Sequence, residues 1–399
     1  MPGQAVRASD GVLIEDGAII ALPTEAWQVQ ALVRLAAHQD LCVVPRGMGS
    51  ARAGGAVAIY DGGKRPVVVD LTINRDIQVD VLRHTISVGC GATNEDVQEA
   101  ASACGLFYPI DAYRYSTMGG NIATDAYGVE SLAYGTTKDY VLGLDLILPD
   151  GERLTTRSSV TPMGIDLTRL LVGSEGTLGI IWSATLRLLD MPERTYTYIA
   201  GFDTHDATFR TVDLLLRQYR SALTSLDFMD ALTTDAIGSE YLAEHRGRYV
   251  LLARSRYESM PGFTRVDDRD AAFVWDTYYN LMYVDAVRVC VDTTDAELLN
   301  HYVEQLAAEH NCEVRVNGSA GLGIFHVSFS SDDSKSIAEC NARTRSHVMS
   351  ILGGSLAVEG IGNMGNDLFV STQTDAARLN LKIKQALDPL GIMNPKKVL

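Results

Sequence analysis

Three short segments rich in glycine carry residue types that can hold a dinucleotide. Residues 45 to 50, PRGMGS, follow an apolar run and set Gly47 and Gly49 beside Ser50. Backbone N–H groups at such a turn converge on an anion such as a pyrophosphate, although the same residues also make a tight surface turn. Residues 117 to 128, TMGGNIATDAYG, combine Gly119, Gly120 and Gly128 with Thr117, Thr124 and Asn121. Adjacent glycines let a flat ring or a phosphate approach the backbone, and the hydroxyls and the amide can orient it. Residues 173 to 181, GSEGTLGII, place Glu175 among small residues just ahead of an apolar strand. Each segment alone reads as well as a plain turn; three of them in one region point to a cofactor. No G-x-G-x-x-G leads from a strand into a helix and no Walker loop occurs, so neither of those nucleotide folds is expected.

These loops need elements to position them, and the first half of the chain supplies a mixed α+β pattern. Residues 24 to 38 read as a helix capped by Thr24, and residues 95 to 104 as a second helix ending before Gly105. Strands are expected at 41–45, 56–60, 66–71 and 85–88, and the run 140–149 ends in Asp150-Gly151, a hairpin signal. The character changes near Pro192. Strands are then expected at 196–202, 249–254, 286–291, 312–316 and 325–329, and helices at 207–223 and 297–311, which describes a small sheet covered by helices. A chain of 399 residues exceeds what one core usually serves, so two domains are expected.

Composition narrows the function classes. A net charge of −16 opposes attraction to nucleic acid or anionic lipid, and an anionic substrate would need local arginines to draw it in. No run reaches the about 20 apolar residues of a membrane helix. The first 20 residues show no basic stretch followed by an apolar one, so the cytoplasm is the expected compartment. The six cysteines are far apart and form no C-x-x-C pair, which reads as reduced core residues rather than a zinc or iron–sulfur centre.

Taken in order, the segments YPIDAYRYSTMGGNIATDAYG, YGTTKDYVLGLDLILPDGE and LLVGSEGTLGIIWSATLRL resemble the FAD-binding domain of the vanillyl-alcohol oxidase-like, or PCMH-type, flavoproteins. The likeness is nearest to the branch of the glycolate oxidase large subunit and D-lactate dehydrogenase, and ALDPLGIMNPKKVL resembles that branch's ending. The resemblance implies a two-part FAD-binding domain over 1–192, an α/β cap domain with a small antiparallel sheet over 193–370, and a segment 371–399 returning to the flavin. It implies that Arg46, Gly47, Met48, Gly49 and Ser50 wrap the pyrophosphate. Asp111, Thr117, Met118, Gly119, Gly120, Asn121, Thr124 and Gly128 would surround the flavin and ribityl chain. Glu175, with Gly179 and Ile180 or Ile181, would lie by the adenosine portion, and Asn394 would approach the flavin. Covalent members attach FAD through a histidine in the first loop or a cysteine near the second. Met48 and Ser50 stand in the first loop and no cysteine lies between Leu106 and Gly128, so noncovalent FAD is expected.

The cap departs from the resembled pattern. Members of the branch carry G-H-x-G-D-G-N-x-H and, later, E-H-G-I-G, whose two histidines and glutamate bind a divalent metal while the remaining histidine takes the substrate's hydroxyl proton as hydride leaves for flavin N5. Here the segments read GSAGLGIFH at 318–326 and EGIG at 359–362. Ser319 replaces the first histidine, Leu322 and Ile324 replace the polar pair, and the histidine after Glu359 is missing. Two remaining ligands make a poor metal site, so no metal is expected. His326 is either a catalytic base or a histidine on one face of the strand FHVSF, and Glu359 either a base tuned by burial or a hydrogen-bonding partner. Arg288 and Arg114 are the candidates for a substrate carboxylate, with a surface role the alternative for Arg114. Tyr113, Tyr115, Tyr127 and Tyr134 offer an aromatic flavin environment or simple packing.

The expected function is therefore FAD-dependent oxidation of a 2-hydroxy acid, D-lactate- or glycolate-like, or a related alcohol. The partners would be a small anionic organic substrate and an electron-acceptor protein or oxygen. The alternative is an FAD-holding subunit of a larger dehydrogenase complex, working beside a sister subunit. The alkyl-ether phospholipid synthases, relatives with non-redox net chemistry, are disfavoured because no histidine cluster supports that reading.

Overall fold

A computed structural model describes residues 6–8, 12–15, 18–51, 53–60, 62–157, 164–192, 194–237, 240–282, 286–356 and 375–397. The chain divides into two compact units. The first comprises Met1–Gly128, Gly135–Pro192 and Glu359–Leu399, and the second Val129–Tyr134 and Glu193–Val358. Among the described residues no helix is long and apolar enough to cross a membrane.

The first unit holds two five-stranded sheets. One is mixed, in the spatial order Val6–Ala8, Val12–Glu15, Ala18–Ala21, Arg65–Asp70, Leu41–Arg46, with Arg65–Asp70 parallel to both of its neighbours. Parallel pairing requires a crossover, and the helix Ala26–His38 supplies one. Its buried residues Ala26, Val29, Val33 and Ala36 recur at helical spacing along one stripe. The cap falls at Glu25 rather than Thr24, because the Gln28 side chain folds back to accept from both the Thr24 and the Glu25 amides. The central strand reads RPVVVD and is buried on both faces, as a strand flanked by parallel partners should be. The other sheet is antiparallel, in the order Arg153–Arg157, Val141–Ile147, Ile180–Arg187, Thr85–Gly89, Ile77–Asp80. The hairpin expected at Asp150-Gly151 joins its first two strands, with Gly151 at φ +78°. The strand expected at 56–60 does not form; Val57 and Tyr60 are more than half exposed, so no burial favours an extended pairing there.

The second unit is built on one antiparallel sheet of eight strands among the described residues. Its order is Thr264–Val266, Tyr196–Phe202, Tyr249–Ser255, Leu223–Met229, Glu313–Ser319, Ile324–Ser330, Val287–Cys290, Ser355–Leu356. Helices His205–Gln218, Ala296–Glu309 and Ser334–Ser350 contribute Phe209, Val212, Leu299, Val303 and Val348 to a core shared with Val287, Val289, Val316, Phe325 and Val327. Strand alternation then turns Arg288, Asn317, Ser319 and His326 to the other face. The helix expected at 207–223 stops at Gln218, and Leu223 opens a strand, LTSLDFM, whose seven residues are all buried. A central strand covered on both faces shows no polar alternation, which is why its sequence does not announce it.

A candidate flavin cradle and a polar strand face

In the first unit the three glycine-rich segments meet, and helix-end geometry joins them. Thr117 caps the helix Met118–Thr124, its Oγ1 accepting from the Gly120 amide at 3.4 Å. The first loop lies directly on this cap. A methyl group at Gly47 would fall 2.0 Å from Thr117 Oγ1, so only glycine permits the approach. Gly49 follows at φ +67°, and Met48 and Ser50 are exposed. Among the described residues the amides of 47 to 50 donate to no backbone carbonyl, which leaves them available to an anion. Arg46 is already engaged by Asp70 at 3.0 Å.

The second loop is anchored from beneath. Gly119 packs on Cys90, and Gly128 packs against the backbone of Asp111. Met118 is fully buried, and the Thr124 hydroxyl donates to the Gly120 carbonyl at 3.0 Å. Asn121 is 4% exposed, and its side-chain Nδ2 has no hydrogen-bond partner among the described residues. The third loop is laced to the end of the same helix: the Gly173 amide donates to the Ile122 carbonyl at 3.0 Å and the Glu175 amide to the Ala123 carbonyl at 2.8 Å. Glu175 is itself buried in a left-handed conformation. Gly179, Ile180 and Ile181 lead into the antiparallel sheet, where Ile180 pairs with Ile147 and is fully buried.

The C-terminal segment closes on this cluster. Met393 bridges to Val43, and the Asn394 amide donates to the Val43 carbonyl at 2.7 Å. Asn394, at φ +41°, sends Nδ2 to the carbonyls of Gly55 (3.0 Å) and Glu175 (2.7 Å), while its Oδ1 has no partner among the described residues. Lys397 is 1% exposed, with its Nζ also unpartnered among the described residues. Buried polar atoms are normally satisfied, so a set of them gathered around free amides and glycine notches is what a site shaped for a polar cofactor should show. The residues present thus fit a flavin dinucleotide.

Other candidates lie elsewhere. Arg114 is exposed, ion-paired with Glu95 at 2.5 Å and set over the Tyr115 ring. Tyr113 and Tyr115 pack edge to face on that surface, and Tyr134 belongs to the second unit, with the Arg256 guanidinium over its ring.

In the second unit, register brings Asn317, His326 and Arg288 into one cross-strand row. His326 is 2% exposed and Arg288 half-buried. Asn317 Oδ1 and, two residues on, Ser319 Oγ are buried without a partner among the described residues. Residue type and spacing mark neither as a ligand-binding residue; their signal is placement on the His326 face, visible only once the register is known. Glu359 lies outside the described residues.

Comparison with known proteins points to the same cofactor. The FAD binding domain family matches residues 17–157, and the C-terminal domain of FAD linked oxidases matches residues 270–398. The chain is 29% identical to D-2-hydroxyglutarate dehydrogenase of Xanthomonas citri pv. viticola over 423 residues, covering 95% of this chain and 88% of that protein. It is 27% identical to glycolate oxidase subunit GlcD of Bacillus subtilis, covering 96% of this chain and 88% of that protein. In fold it is similar to 4-ethylphenol oxidase from Gulosibacter chungangensis, with a TM-score of 0.72 at 15% identity, covering 99% of this chain and 91% of the other. The chain thus carries an FAD binding domain followed by the C-terminal domain of FAD linked oxidases, and shares the fold of 4-ethylphenol oxidase.

Proposed function

We propose that this chain is an FAD-dependent oxidoreductase that removes two electrons from the CH–OH group of a small anionic 2-hydroxy acid, without a divalent metal. The observation that carries the reading is the cradle made by the Gly47–Thr117 contact, the free amides of 47 to 50 and the unpartnered Asn121 and Asn394 side chains. The substrate class is that of the relatives named D-2-hydroxyglutarate dehydrogenase and glycolate oxidase subunit. When bound, FAD supplies the redox chemistry, which no side chain of the protein can. The residues of 46–50 and 117–128 would hold it, and the link is proposed to be noncovalent. Cys90, the cysteine packed under Gly119, is fully buried, and burial pushes its thiol up to about 12, far from a reactive thiolate.

On the strand face, Arg288 is suited to a carboxylate and His326 to accepting a hydroxyl proton. Asn317 and Ser319 would orient the same substrate by hydrogen bonds; Ser319 stands where the resembled branch carries a histidine, which is the basis for proposing no metal. The same replacement favours a second reading, an FAD-holding subunit that works beside a sister chain. A panel of D- and L-2-hydroxy acids added anaerobically to the FAD-loaded chain separates the two. Bleaching of the flavin absorbance by one stereoisomer series supports the enzyme. Flavin that stays oxidised with every acid supports the subunit.

A further inference from the structure

Lys397 is the least expected charge in the first unit. Its side chain is 1% exposed, and among the described residues its Nζ meets no hydrogen-bond acceptor. Other cations of the first unit are committed: Arg46 to Asp70 at 3.0 Å, Lys138 to Asp125 at 3.1 Å and Lys384 to Asp388 at 2.5 Å. The fold nevertheless spends effort to deliver Lys397 inward. Lys384 Nζ donates to the carbonyls of Thr177 and Met393, both at 2.7 Å, and Asn394 grips Gly55 and Glu175, so the chain is pinned at Met393 and Asn394, just ahead of Lys397. Leaving an ammonium buried and unpaired is costly, and a protein retains that arrangement where a ligand completes it.

We infer that Lys397 is a positioning residue for FAD, its ammonium standing against the anionic oxygens of the bound pyrophosphate. This rests on the cofactor reading above. FAD carries its full negative charge on the pyrophosphate, and oxidised isoalloxazine is neutral, so the pyrophosphate is the part of the cofactor that a desolvated cation complements best. Burial lowers the Lys397 ammonium to about 8, while the Glu175 carboxylate, on the turn gripped by Asn394, pulls it upward. Lys384 and Asp388, from the preceding helix and turn, neutralise one another. A bound dianion would raise the ammonium further, so binding above about pH 8 must take up a proton.

The test is FAD affinity of the apo chain, read from quenching of FAD fluorescence between pH 6.5 and 9.5, with ADP as a competitor that carries a pyrophosphate but no flavin. Wild type should bind with constant affinity at the acid end and weaken by about tenfold per pH unit above 8. Lys397→Met should bind FAD and ADP about ten- to a hundredfold more weakly, and its profile should be flat. Its apo form should be at least as heat-stable as wild type, because the substitution removes an unpaired buried charge; a merely structural lysine would give the opposite. Binding within twofold of wild type, an unchanged pH profile, or weakening for FAD but not for ADP would each overturn the inference alone. A wild-type chain that takes up no FAD would overturn the cofactor reading with it.

Discussion

Asp227 shows how strongly single residues are tuned in this protein. Burial pushes its carboxyl up to about 7, against the opposing pull of hydrogen bonds from Ser225 and Tyr278 and of the Arg254 charge. A carboxyl whose folded pKa lies above its unfolded value of 3.8 adds stability below that value and loses it as pH rises through the folded one. The urea midpoint should therefore fall between about pH 4 and 7, and Asp227→Asn should flatten that fall. Asp230, also raised by burial, keeps part of the slope in the variant. Gly47 is tuned sterically. In Gly47→Ala the new methyl overlaps Thr117 Oγ1, which would lift the first loop from the helix cap. FAD affinity should drop at least about tenfold, with about 1–3 kcal/mol lost from the fold in denaturant titrations. Neither effect was legible from residue type alone, because burial and close approach are properties of neighbours distant in sequence.

At the scale of elements, the C-terminal segment depends on a helix that carries its own lock. Lys384 lies in the helix Asp375–Leu387 and joins Thr177, Asp388 and Met393 through one ammonium, while Asp388 also accepts from the amides of Ile392 and Met393. Lys384→Met would strand a buried carboxylate, at about 3–5 kcal/mol. The expected result is a lowered denaturant midpoint together with weakened FAD retention, whereas an exposed lysine of the same helix, Lys382, should tolerate methionine with little change in either. The elements that were legible carry a local signal: the helix Ala26–His38 has a hydrophobic period matched to one buried stripe, and the hairpin at Gly151 is marked by its turn residues. Leu223–Met229 was missed because both of its faces are covered, and the run at 56–60 misled because β-type composition without a pairing partner specifies nothing.

At the scale of the molecule, the first unit is discontinuous, assembled from three stretches of chain, and the cradle draws on all three. Binding that favours the native state should then stabilise this unit as a body. Hydrogen exchange with and without FAD is expected to show added protection at 43–55, 117–128, 173–177 and 392–397 together, because the loops are hydrogen-bonded to one another. Protection confined to 43–55 would mean that the other loops are not part of the site. The row of Asn317, His326 and Arg288 should respond to the hydroxy acid rather than to FAD.

The sequence by itself determined the α+β class, the three glycine-rich loops, the cofactor family and the change of character near Pro192, since these rest on local patterns and on motifs read in order. Tertiary structure alone decided which of the named residues meet. It pressed Gly47 against Thr117, left Arg114 on the surface with Glu95, aligned Asn317 beside His326 and buried Lys397 near Glu175. Those outcomes depend on strand register and on contacts between segments far apart in the chain, and a linear pattern of residue types does not specify which distant neighbour desolvates a charge or fills the space above a glycine.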